Sequence, residues 1–128
     1  MLKEFKSKYF SFSELTHTDT EIPNMPTENW QIDNLIKLAE FLDNVREDYG
    51  DAICVNSAYR SHDVNRAVDG CVNSCHLQGI AADIRPSYIP SQDYYERFQQ
   101  LIDVFKDKKQ FLKEFVIYKN FIHIAIKL

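Results

Sequence analysis

The sequence predicts an α+β domain, a small and largely antiparallel β-sheet with helices packed on one face. Three observations predict it. The segment Gln31–Tyr49 carries Ile32, Leu35, Ile36, Ala39, Leu42, Val45 and Tyr49 at three- and four-residue steps, with charged residues between them. Two apolar runs, around Cys54 and around Ala82, are long enough for strands and too short for helices. The chain closes on Phe115–Tyr118, a polar Lys119-Asn120 pair and the alternating Phe121–Leu128, which is the layout of a β-hairpin.

A chain of 128 residues suffices for one core and is too short for two, so residues 1–128 read as a single domain in which 1–30 form an N-terminal arm. The apolar share of 45%, with nine Phe, seven Tyr and Trp30, argues for an ordinary core rather than disorder. A net charge of −4 argues against nucleic acid as the main partner, because phosphate binding needs a basic footprint. No apolar stretch is long enough to span a membrane. The opening Met1–Lys8 is basic but lacks the apolar segment of a secretion signal, so the chain is expected to be cytoplasmic as synthesised. Three cysteines, Cys54, Cys71 and Cys75, fit a reducing compartment better than a disulfide scaffold. Cys54 is expected to act as a small buried hydrophobe. A structural zinc site at Cys71 and Cys75 would need a fourth ligand and a usual spacing, and neither is evident.

In chain order, Ser11-Phe12-Ser13-Glu14 has the pattern of a capping box and predicts a short helical turn ending near His17. Thr16 to Asn29, with Pro23 and Pro26, reads as an ordered loop over the surface, and His17 within it as a solvated residue. Gly50 stops the long helix. Ile53–Ser57 is a strand, and Val64, Val68 and Val72, four apart, suggest a short helix beginning near Ser61 or His62. Gly70 and Gly79 flank His76 and imply tight backbone geometry around it. After the second strand, Pro86 and Pro90 bracket a connection and Ser91 is placed to cap a helix whose buried face is Tyr95, Phe98, Leu101, Ile102 and Phe105.

The candidate chemistry lies in Ser74-Cys75-His76-Leu77-Gln78-Gly79-Ile80-Ala81-Ala82-Asp83-Ile84. A carboxylate inside an apolar run is costly to bury unless something compensates it, and a cation would do so. A neutral imidazole just upstream is the commonest partner ligand. The plainer alternative is a loop histidine followed by an edge strand whose aspartate faces water. In the terminal strand Ile122, Ile124, Ile126 and Leu128 share the core face, so His123 points the other way beside the small Ala125. If the two strands are neighbours, Asp83 and His123 emerge on one side, with His76 arriving from the loop. Taken alone, His123 reads as a strand histidine satisfied by a carbonyl. Together the three form a two-nitrogen, one-oxygen set that zinc tolerates with a fourth position open for water.

These residues carry a family resemblance. Ser57-Ala58-Tyr59-Arg60-Ser61, then Asn65, Val68 and Gly70, then the Ser74–Ile84 block and Phe121-Ile122-His123-Ile124, resemble the zinc D-alanyl-D-alanine carboxypeptidases. That group includes phage endolysin peptidases and vancomycin-resistance D,D-dipeptidases, and shares its fold with the Hedgehog signalling domain. The resemblance implies a Hedgehog-like fold and a zinc ion held by His76, Asp83 and His123. It implies that Arg60 faces the substrate, polarising the scissile carbonyl or holding a carboxylate, tasks a planar guanidinium performs through paired hydrogen bonds. Ser74 is then placed to donate to the substrate terminus or to act as a cap, and Asn65 to be a structural hydrogen-bonder. The implied partner is a peptidoglycan stem peptide, met by a monomer. Without a secretion signal, the implied source is a phage or prophage product released to the cell wall.

One position departs from the pattern. Many active relatives carry an acidic general base three residues before the last histidine, where this chain has Asn120. An amide takes up no proton at neutral pH, so assistance typically worth about 10²–10⁴ in rate is missing from that position. Glu114 is the nearest upstream carboxylate and reads as a solvated turn residue. Two functions therefore stand: a zinc peptidase, or a weak or silent metal-containing module that binds cell-wall peptide or a protein partner.

Overall fold

The computed structural model describes residues 3–87 and 91–128. Four strands form one antiparallel sheet: β1 (Ile53–Ser57), β2 (Ala81–Pro86), β3 (Leu112–Ile117) and β4 (Ile122–Ile126), in the order β1-β2-β4-β3. The helices are α1 (Phe12–Leu15), α2 (Asn29–Tyr49), α3 (His62–Ala67) and α4 (Tyr94–Val104), joined by short 3₁₀ turns. The α+β architecture is the one expected, and the sheet is antiparallel throughout.

Burial follows the alternation at the isoleucines, although Ala81 and Ala125 on the other face are buried as well, and Leu128, expected on the core face, is 69% exposed. Ala82 and Ile84 of β2 and Ile122 and Ile124 of β4 join Leu35, Leu38 and Leu42 of α2 and Phe98 and Leu101 of α4 in one core cluster. Removing a leucine-sized side chain from water is worth about 1.5–3 kcal/mol, so this shared layer supplies the main stabilisation of sheet and helices together. Asp83 and His123, one residue out of phase, are left to the opposite face.

The helix termini explain most boundary differences. In α1 the Ser11 hydroxyl accepts from Glu14 N while Glu14 Oε1 accepts from Ser11 N, the capping box read from the sequence. Helix α2 begins at Asn29 rather than Gln31, because the Gln31 side chain turns back to accept from Thr27 N and Glu28 N. It ends at Gly50 with φ 81°, a left-handed conformation that glycine adopts without penalty. Helix α3 is capped by the Ser61 hydroxyl, but the valine spacing does not define its buried face. Only Val64 is buried; Val68 is 46% and Val72 is 87% exposed. Asp69 takes φ 57° and Gly70 N donates to Asn65 O, so the helix has stopped before the later valines.

In α4 Tyr95 is 75% exposed, correcting its expected place in the core. The buried line runs through Phe98, Leu101 and Phe105, with Tyr94 stacked on Phe98 at 5.8 Å between ring centroids. A 3₁₀ turn, Ser91–Asp93, precedes α4. Pro90 and the side chain of Ser91, the expected helix cap, lie outside the described residues. Cys54 is half-buried rather than fully so, and no helix among the described residues is long and apolar enough to cross a membrane.

Candidate metal centre

Three elements bring the site together. Asp83 of β2 lies directly opposite His123 of β4 in the antiparallel register. His76 arrives on the 3₁₀ turn Cys75–Gln78, which the Ser74 hydroxyl caps by accepting from His76 N. The turn ends at Gly79, whose φ of 79° and close approach to Gln31 O, 3.0 Å from where a Cβ would stand, both favour glycine. Asn34 of α2 donates to Gln78 O at 2.8 Å, so the long helix, read from the sequence as core alone, also anchors the histidine's turn.

Ligand atoms of His76, Asp83 and His123 all lie within 4.8 Å of one another, the spacing that binding one metal ion requires. No cysteine belongs to this cluster. Cys71 is exposed and Cys75 buried, which leaves the cysteine zinc site without support.

The hydrogen-bond pattern tests whether a cation fits. His76 is 3% exposed, and its Nδ1 lies 2.7 Å from Ala58 O. A carbonyl oxygen only accepts, so Nδ1 carries a proton and Nε2 is the ring nitrogen turned to Asp83 Oδ1, at 3.3 Å. A proton on Nε2 or a metal ion between the two atoms would each satisfy that contact. His123 stands between two carboxylates, with Nδ1 2.8 Å from Asp83 Oδ1 and Nε2 2.8 Å from Glu114 Oε1. Both arrangements suit a metal ion, which supplies the charge and takes the lone pairs. The donor set of two imidazoles and one carboxylate is one that zinc accepts.

Electrostatics agree with the geometry. Burial alone would raise the Asp83 pKa, but hydrogen bonds and charge from His123 and His76 outweigh it and hold the carboxyl well below the usual range. The hydrogen bond to Asp83 raises His123; burial opposes this, and Glu114 adds to it. Glu114 is lowered by its bond to His123.

Arg60 adds a fixed cation at the rim. Its Nη2 is 3.6 Å from Asp83 Oδ2, its Nε donates to Ser57 Oγ at 3.2 Å, and its Nη1 donates to Asn65 Oδ1 at 3.3 Å. A bulge between Val55 and Ser57 sets Ser57 opposite Asp83, within reach of the guanidinium. Asn65 is itself held by donating to Cys71 O at 2.9 Å. Gly70 packs so closely here that a Cβ would fall 1.9 Å from Asn65 Oδ1. Asn65 is thus the structural hydrogen-bonder expected.

The site opens into a cleft of about 620 Å³ lined by Arg60, Ser74 and Glu114 on its polar side and Val116, Tyr118 and Phe121 on its apolar side. Tyr118 and Phe121 stack at 4.6 Å between centroids. Over residues 8–125 the chain matches the sequence model of the family described as Peptidase M15. The chain belongs to the M15 peptidase family. No curated protein matches it in sequence.

Some other expected positions of this M15 family member fall as read from the sequence and some do not. Asn120 lies exposed in the β3–β4 turn, where its carbonyl accepts from Tyr94 Oη at 2.9 Å, and it does not line the cleft. His17 is exposed, as expected, pairs with Asp19 and does not belong to the candidate metal cluster. Glu114 corrects the sequence reading, since it bonds His123 instead of standing as a solvated turn residue. Asn24 was missed altogether. Buried in the arm, it donates to Thr16 O and Tyr59 O and accepts from Ser61 N, clamping the backbone on both sides of Arg60. Its only sequence signal was a turn-forming residue beside Pro23.

Proposed function

We propose that this M15 family member is a zinc-dependent peptidase that hydrolyses peptidoglycan stem peptides, as a D-alanyl-D-alanine carboxypeptidase or an endolysin-type peptidase. The observation that carries this reading is the convergence of His76, Asp83 and His123 beside Arg60 in an open cleft. When bound, zinc supplies a Lewis acid and brings the ionisation of water near neutral pH.

The chain's own residues bind and orient. Ala58 O holds the His76 ring with Nε2 turned to Asp83. Ser57 and Asn65 hold the Arg60 guanidinium in place before substrate arrives, so little reorganisation accompanies its bonds to a substrate carboxylate or a developing oxyanion. The Ser74 oxygen accepts from His76 N, which leaves its hydroxyl proton for a substrate terminus. Val116, Tyr118 and Phe121 give the peptide an apolar wall.

Asn120 favours a second reading, in which the chain keeps the metal and binds cell-wall peptide with little or no turnover. Digestion of purified peptidoglycan by zinc-loaded protein, read by mass spectrometry beside chelated protein and His123→Ala, separates the two. Fragments or D-alanine released only by the loaded, intact protein support the peptidase. One bound zinc per chain with no cleavage makes the binding module the better description.

A further inference from the structure

We propose that Glu114 is a positioning residue that fixes the tautomer of His123, holding Nε2–H so that Nδ1 is the atom offered to the metal. The inference rests on the metal-site reading above and deepens it.

His123 has two ring nitrogens, and a metal ligand must present one bare while the other keeps its proton. Nδ1 faces Asp83 and the ligand cluster, whereas Nε2 faces Glu114 Oε1 at 2.8 Å. An ionised carboxylate only accepts, so Glu114 favours the tautomer with the proton on Nε2. That is the general arrangement in which an outer carboxylate orients a ligating histidine and strengthens its donor nitrogen.

The fold builds this contact deliberately. In the β3–β4 pairing Val116 is opposite His123 and Glu114 is opposite Ala125, so Glu114 is the diagonal neighbour of His123 on the same face. Yet Leu112, two residues earlier, is opposite Ile126 and is buried with the core. A bulge between Leu112 and Glu114 makes both possible, because the extra residue, Lys113, reverses the alternation. Without it, either Leu112 would leave the core or Glu114 would leave the histidine. Glu114 therefore holds His123 while remaining outside the cluster of candidate ligands.

The test is zinc affinity, by competition with a chromophoric chelator, for the unaltered protein, Glu114→Ala and Glu114→Gln. Nitrogen-15 spectra of the histidine rings in the zinc-loaded protein accompany it. Glu114→Ala should bind zinc about 10–100-fold more weakly, and Glu114→Gln, whose amide oxygen still accepts from Nε2–H, should recover most of that loss. The spectra should show His123 with a protonated Nε2 and a metal-bound Nδ1, a readout independent of how well any variant folds. Equal affinity in Glu114→Ala, or zinc on Nε2, overturns the proposal and leaves the metal site standing. Absence of zinc binding by the unaltered protein overturns both.

Discussion

Asp83 and His123 face each other across neighbouring antiparallel strands, with Oδ1 and Nδ1 2.8 Å apart. Directly opposed positions bring Cβ atoms to about 4.5–5.5 Å, so register alone sets the spacing of the ligand pair. Their strands are each pinned by a buried apolar face, and slipping by one residue would expose Ile84, Ile122 and Ile124 together. This pair is thus held by the core, whereas His76 depends on its capped turn.

Asp83→Asn keeps the shape of this pair and removes its charge. Changes outside the ligand shell typically cost about 10–100-fold in metal affinity, so loss of a ligand charge should exceed that range. Competition with a chelator measures it. An affinity within about threefold of the unaltered protein would remove Asp83 from the ligand set.

Asn24→Ala should destabilise the fold by about 2–4 kcal/mol, because Thr16 O, Tyr59 O and Ser61 N all lose a buried partner. The Arg60 segment should loosen with it. Urea denaturation of the metal-free protein gives the first effect, and a rise in KM gives the second. A loss below about 0.5 kcal/mol would mean that water replaces the amide without cost.

Much of this was legible in the sequence, for identifiable reasons. The pairing of Asp83 with His123 followed from two alternating strands whose isoleucines had to share a core. His76 followed from its place in the turn before β2. Glu114 was not legible, because a bulge at Lys113 reverses the alternation and no local residue pattern announces it. Asn24 was not legible either, since its partners are backbone atoms 8, 35 and 37 residues away. The valines after Asn65 misled because a four-residue spacing was read as helical where the helix had already ended at Ala67.

Gly70→Ala should impair turnover while sparing the metal. The added Cβ would sit 1.9 Å from Asn65 Oδ1 and 3.1 Å from Arg60 Nη1, so Asn65 must yield and release the guanidinium. Overpacking of this kind costs about 1–3 kcal/mol. We expect kcat/KM on stem peptide to fall at least about tenfold, the equivalent of about 1.4 kcal/mol, with zinc affinity within about twofold. Gly50→Ala is the contrast, because no atom lies within 4 Å of the added Cβ and only the φ of 81° resists it. It should cost about 1 kcal/mol of stability and no activity. Equal kinetic effects from the two substitutions would dissociate Gly70 from Arg60.

Stability should depend on pH in opposite senses with and without zinc. In the metal-free protein the Asp83 pKa lies below its unfolded value of about 3.9, so its contribution is present above that pH and is lost as pH falls through the folded value. The His123 pKa lies above its unfolded value of about 6.5, so its contribution is complete below that pH and is lost as pH rises through the folded value. Chelated protein should therefore be most stable between about pH 4 and 6.5 and should weaken above that range. Zinc requires Nδ1 of His123 bare, so the stabilisation it adds should grow over the same rise in pH. Urea midpoints across about pH 5 to 9, with chelator and with excess zinc, give the two slopes. His123→Gln should abolish the alkaline decline of the chelated form. If chelated protein keeps a constant midpoint over this range, His123 is not held as an imidazolium between Asp83 and Glu114.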